Sequence, residues 1–186
     1  MTDMTDADVV VSFPEVEADA LVRAVQAALD SQEEVSAILR AGAQQSVAPS
    51  TAQPDAARRF QLLLELGYLV ASADGFAEHE RNSLACLLET ITGSEIDAAI
   101  LQQHFADLED GVQALGRKER LARAAAEIVD PVDTLGLVAM IAMADGTLSQ
   151  DEHAVLVELG AHLGLQSNAI DNLVRDAEGR VRKELR

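Results

Sequence analysis

Met140-Ile141-Ala142-Met143-Ala144-Asp145-Gly146-Thr147-Leu148-Ser149-Gln150-Asp151-Glu152 is the stretch on which the fold of this chain turns. An apolar, small-residue run ends in Ala-Asp-Gly. Ser149, with Glu152 three positions later, carries the spacing of a capping box, in which each residue's side chain satisfies the other's backbone N–H. The stretch therefore reads as one helix ending, a tight turn, and a second helix starting. Val155, Leu156, Leu159 and Leu163 then fall on one face of that second helix. The same pattern stands 71 residues earlier, in Leu69-Val70-Ala71-Ser72-Ala73-Asp74-Gly75. There it leads into Phe76-Ala77-Glu78-His79-Glu80-Arg81 and an apolar face of Leu84, Leu87 and Leu88. A third helix follows each copy after Gly93 or Gly164. Units of this size are marginal alone, so the two copies are expected to share one core.

Working outward, residues 55–186 read as consecutive helices. Asp55 is a candidate N-cap for a helix over 56–73, and the next helix covers 78–92. Ser94 with Asp97 opens a third, carrying Ile96, Ile100, Leu101 and Phe105. Gly111 and Gly116 predict short helices and turns over 107–120. An Ala-rich helix follows to about Val129. Pro131 opens a helix to Ala144, Ser149 caps one to His162, and Ser167 caps a last one. Upstream lies an extension, residues 1–54. Residues 1–14 are acidic and unpatterned, and are read as disordered. Residues 15–41 read as helical, with Leu21, Val25, Ala28 and Leu29 on one face, and residues 42–54 as a small, polar, Pro-bounded linker.

Composition supports an all-α reading: a compact helical bundle of two tandem three-helix units behind a partly disordered, partly helical extension. Hydrophobic residues make up 48% of the chain but aromatics only 3%. No period-two strand stands out, and the apolar material follows helical spacing. The net charge is −18, which repels phosphate backbones and argues against nucleic acid as a partner. A single cysteine, Cys86, excludes an intramolecular disulfide framework. No apolar run approaches the roughly 18–20 residues of a membrane span. No Lys or Arg precedes Arg23, so no signal peptide is expected and the chain is placed in the cytoplasm.

At the repeated turns the sequence resembles the tellurite-resistance TerB family over about residues 56–186. That family is marked by a helix ending in Ala-Asp-Gly, an apolar residue, Ser, two variable residues and Glu. Asp145, Gly146, Leu148, Ser149 and Glu152 fit the mark. The first copy departs from it: Ala77 and Glu78 stand in for the aliphatic residue and Ser. Arg81 holds the Glu position, with Glu80 one place early. The resemblance implies a helical bundle without catalytic activity, with acidic motif residues that bind divalent metal. It also implies a role in resistance to tellurite and other stress, in complexes near the membrane.

Asp74 and Asp145 carry a charge that helix C-termini disfavour by roughly 0.3–1 kcal/mol. Two readings stand. One is an Asx-type turn, the carboxylate accepting a following amide. The other is a weak Ca²⁺ or Mg²⁺ site held by Asp145 with Glu152 or Asp151. The first copy offers Asp74, Glu78 and Glu80, opposed by Arg81. His79 and His153 lie near the turns as further candidates. Asp145-Gly146-Thr147 lacks the alternating oxygen ligands of an EF-hand, and no Glu-x-x-His of di-metal bundles occurs. No nucleophile elbow, phosphate loop or triad is present, which argues against an enzyme. The basic C-terminal stretch of Arg175, Arg180, Arg182, Lys183 and Arg186 reads as a solvated helix end or as a docking surface. That surface suits an acidic protein or a membrane visited peripherally. The expected function is a binding or scaffold module whose partners are other proteins. It is either metal-responsive or an adaptor with purely structural turns.

Overall fold

The chain runs β1 (Val9–Ser12), α1 (Ala18–Asp30), α2 (Pro54–Ala71), α3 (Glu78–Thr92), α4 (Ala98–Leu115), α5 (Arg117–Ala125) and α6 (Pro131–Ala142). A 3₁₀ turn (Met143–Asp145), β2 (Thr147–Ser149), α7 (Gln150–His162) and α8 (Ser167–Glu184) complete it. The computed structural model describes residues 9–13, 15–30, 54–92 and 97–186.

The architecture is all-α, and α6 is its axis. Pro131 sits at its first turn, where a missing N–H removes no helical bond. Leu135 and every residue from Leu137 to Ala142 are buried, so the helix is apolar all round. Four helices surround it: α2, α8, α7 and α1 all pack on it. Leu66, Leu69 and Val70 come from α2, Leu156 and Leu159 from α7, and Ile170, Val174 and Val181 from α8. Among the described residues, no helix is long and apolar enough to cross a membrane.

Both stretches repeated in the sequence fall at helix ends. α2 ends at Ala71 and α6 at Ala142; the glycines that follow, Gly75 and Gly146, have φ of +124° and +106°. That is left-handed backbone, which Gly adopts without the Cβ clash other residues meet.

Several expectations need correction. Two strands exist where none was expected. β1 pairs antiparallel with β2, Val11 opposite Leu148 and Ser12 opposite Thr147. Residues 9–13 are therefore ordered rather than disordered, and the second turn carries a strand with no counterpart among the described residues of the first. The reading of 1–8 as disordered, of 31–41 as helical, of 42–53 as linker, and the Ser94 cap lie outside the described residues. α2 begins at Pro54, so Asp55 lies within the helix rather than capping it. Residues 107–115 continue α4 without a break, since Gly111 is tolerated inside the helix. A Cβ there would collide with the Arg120 guanidinium, which crosses this point to pair with Glu65. Gln166 rather than Ser167 is the N-cap of α8.

α1 docks on the bundle through the face read from sequence. Leu21, Val25, Ala28 and Leu29 are buried, joined by Val22 and Ala24, against α3, α6 and α8.

Candidate functional site: the two Ala-Asp-Gly helix ends

The second helix end is a closed joint. Gly146 N–H returns to Met143 O at 3.1 Å, which closes the 3₁₀ turn that follows α6. Asp145 Oδ1 then accepts the Thr147 N–H at 2.9 Å and the Thr147 hydroxyl at 3.3 Å. This is the Asx turn of the first reading. Ser149 in turn opens α7 with a complete capping box. Its Oγ accepts the Glu152 N–H at 3.2 Å, and Glu152 Oε2 accepts the Ser149 N–H at 2.7 Å. Burial strengthens both bonds, because Ser149 and Glu152 are only 4% and 2% exposed and a polar group out of water must be hydrogen-bonded.

The joint is also covered. Phe13 N–H donates to Gly146 O at 2.9 Å, extending the β1–β2 pairing by one residue. Phe13 itself is buried, and the Arg182 guanidinium lies 4.6 Å from its ring centre. Arg182 Nη2 donates to Ser12 O at 3.0 Å and its Nε to Glu178 at 2.7 Å. Leu21 of α1 lies against Gly146. One residue of the basic C-terminal stretch, Arg182, thus pins the N-terminal strand over the joint.

The first helix end is built differently. Asp74 is exposed, as are Glu78 and Arg81. The charge that suits this helix C-terminus comes from far along the chain. Arg117, the first residue of α5, donates to the Ser72 and Ala73 carbonyls and to Ser72 Oγ. A guanidinium here satisfies carbonyls that lack an intrahelical partner and complements the helix dipole.

Of the candidate ligands, the fold brings Asp145 and Glu152 together. Both line a small cavity of about 10 Å³, with Ser83 of α3 and Ala71 of α2 among its other walls. That is close to the roughly 10–15 Å³ needed for a single water. Asp151 is exposed and does not line it. Asp74 and Glu78 belong to the other turn, and the side chains of His79 and Glu80 lie outside the described residues. His153 faces Asp171 across α7 and α8, Nε2 to Oδ1 at 3.0 Å. Among the described residues, no group of three or more His, Cys, Asp or Glu is arranged to hold a metal.

Sequence reasoning missed Phe13 and Arg117, and named Arg182 only as part of the basic C-terminal stretch. For Phe13 a signal existed: Val9-Val10-Val11 is a short apolar run of the most strand-prone kind, ending shortly before it. Nothing local marks the bond from Arg117 to Ser72 or from Arg182 to Ser12, 45 and 170 residues away.

Comparison with known proteins agrees with the resemblance. A sequence model of the family described as tellurite resistance protein TerB matches residues 60–175. No curated protein and no solved structure gives a significant match. The matched segment covers more than half of the chain and both helix ends; the chain belongs to the TerB family.

Proposed function

We propose that this TerB-family chain is a non-enzymatic binding and scaffold module of the cytoplasm, acting in resistance to tellurite or related stress. In this reading the Ala-Asp-Gly turns are rigid joints that hold two helical units in a fixed relation. The observation that carries the proposal is the second joint. Asp145, Ser149 and Glu152 bond to backbone groups of the joint itself, completing an Asx turn and a capping box. The residues that mark the family are thereby accounted for by architecture, which leaves the outer helix surfaces for partners.

A second reading keeps the divalent cation. It is favoured by one observation, the small cavity that Asp145 and Glu152 both line. A Ca²⁺ or Mg²⁺ ion there would take carboxylate oxygens as hard-cation ligands, with Asp151 or the Asp74, Glu78 and Glu80 set as weaker alternatives.

Thermal unfolding with and without Ca²⁺ or Mg²⁺ separates the two, on wild type and on Asp145→Asn with Glu152→Gln. The structural reading predicts the same small cation effect in both proteins, from screening of the −18 charge. Site binding would instead stabilise wild type by up to about 2.7 kcal/mol at a hundredfold excess over Kd, and the double variant would lose that gain. The role itself is tested in the native organism. Deletion should raise tellurite sensitivity, and the double variant should restore resistance if the joint is structural.

A further inference from the structure

A cavity of about 150 Å³ lies open between α6 and α8, on the side of the bundle away from neither strand nor joint residues. Its apolar lining comes from Gly136 and Met140 of α6 and from Leu173 and Ala177 of α8. Met140 is only 1% exposed, so the cavity reaches down to the core. Val132, Asp133, Asp176 and Arg180 complete the wall, and Val132 is 51% exposed.

Gly136 leaves this space without a packing reason. Gly67 and Gly160 each make room for an isoleucine from another helix, Ile141 and Ile170, whose side chain a Cβ would strike. A Cβ on Gly136 would meet nothing within 4 Å, and its backbone is not left-handed. Glycine is a poor helix former, and here no described residue of the chain uses the room it gives.

The charges around the cavity are also unused. Arg180 follows Asp176 at the same four-residue spacing at which α8 pairs Arg182 with Glu178, at 2.7 Å. Arg180 and Asp176 do not pair. Among the described residues, neither they nor Asp133 have a hydrogen-bond or ion-pair partner. One patch thus carries a hole, an exposed apolar side chain beside it, and unpaired charges of both signs. A two-fold contact between identical surfaces requires that combination, because each feature must find its complement on the same patch. A partner of another kind would need only one half of it.

We propose that this face of α6 and α8 is where two copies of the chain associate about a two-fold axis. Val132 of each copy packs at the mouth of the other's cavity, and Arg180 of each lies opposite Asp133 or Asp176 of the other. The patch is small beside the roughly 800 Å² per partner of a standard interface, so the contact is a weak one. The inference is independent of the tellurite role, which survival assays test separately.

The test is sedimentation equilibrium of the full chain up to about 1 mM, the range of weak contacts, in about 0.15 M salt. The screening length there is about 8 Å, so the −18 charges of two copies repel little while touching pairs persist. Wild type is compared with Gly136→Gln, which fills the cavity, with Val132→Asp, and with Ile100→Asp as an exposed control on α4. Two charge variants complete the set, Arg180→Asp and the double change Asp133→Arg with Asp176→Arg, run alone and mixed. Circular dichroism checks that each is folded; Gly136→Gln has room for its side chain and Val132 is exposed, so both remain informative. The proposal predicts a reversible dimer in wild type and Ile100→Asp. Association should weaken about tenfold or more in Gly136→Gln, in Val132→Asp and in each charge variant alone, and return when the two charge variants are mixed. A wild type that stays monomeric throughout, a dimer that the folded cavity variants leave unchanged, or a mixture that associates no better than its parts would overturn the proposal.

Discussion

Tyr68 shows how a single residue ties burial to a measurable pH response. Burial pushes its phenol above the ordinary tyrosine range; the negative charge of Glu109 adds to this, while Arg81, Arg117 and the Ser72 hydroxyl oppose it. Because the folded pKa is raised, the residue's contribution is fully present below the unfolded pKa and is lost as pH rises through the folded one. Denaturant unfolding of wild type should therefore show stability falling above about pH 10, where the free phenol ionises. Tyr68→Phe should flatten that alkaline limb, and an unchanged limb would mean that another group controls it. At this scale, sequence legibility depended on distance along the chain. Ser149 and Glu152 are three residues apart, and their roles follow from spacing alone. Arg117 serves Ser72 from 45 residues away, and no local pattern announces it. Asp145 lay between these cases: its turn could be named beforehand, but sequence alone could not choose between an amide and an ion as its partner.

Among the elements, α7 depends most visibly on its cap. Ser149 closes both halves of the capping box at a buried position, so Ser149→Ala leaves the Glu152 amide without its acceptor. The expected cost is about 1 kcal/mol, or a fall in Tm of about 2–4 °C for a chain of this length. A calorimetric Tm equal to that of wild type would contradict the importance given to the cap. The helices were legible because three-to-four spacing and cap residues are local properties. β1 was not, because a four-residue strand has no periodicity to read and gains its identity from β2, well over a hundred residues later. α4 was misjudged for a related reason. Gly111 normally signals a break, yet here its missing side chain lets Arg120 reach Glu65, and the helix tolerates it.

For the whole molecule, the helix ends repeated in the sequence marked the two turns at Gly75 and Gly146, and the apolar run of α6 marked the axis on which the other helices pack. What they left out is the asymmetry between the turns. The second joint is sealed by β1, Phe13 and α1, while the first is capped by Arg117 and stands beside an open groove. The cover over the second joint comes from segments outside the family match, from β1 and α1 before residue 60 and from the end of α8 after residue 175, whereas Arg117 and the groove lie within it. The asymmetry leaves the second joint covered and the first beside the groove. A second joint that holds itself together with its own hydrogen bonds should reveal this in hydrogen exchange at three amides. Thr147 N–H is held by Asp145, Ser149 N–H by Glu152, and Phe13 N–H by Gly146. In metal-free buffer all three should exchange slowly, as parts of one cooperative unit, and adding Ca²⁺ or Mg²⁺ should leave their rates unchanged. Rapid exchange at Thr147 and Ser149 that slows only when the cation is added would show instead that an ion, and not the joint's own bonds, closes the turn.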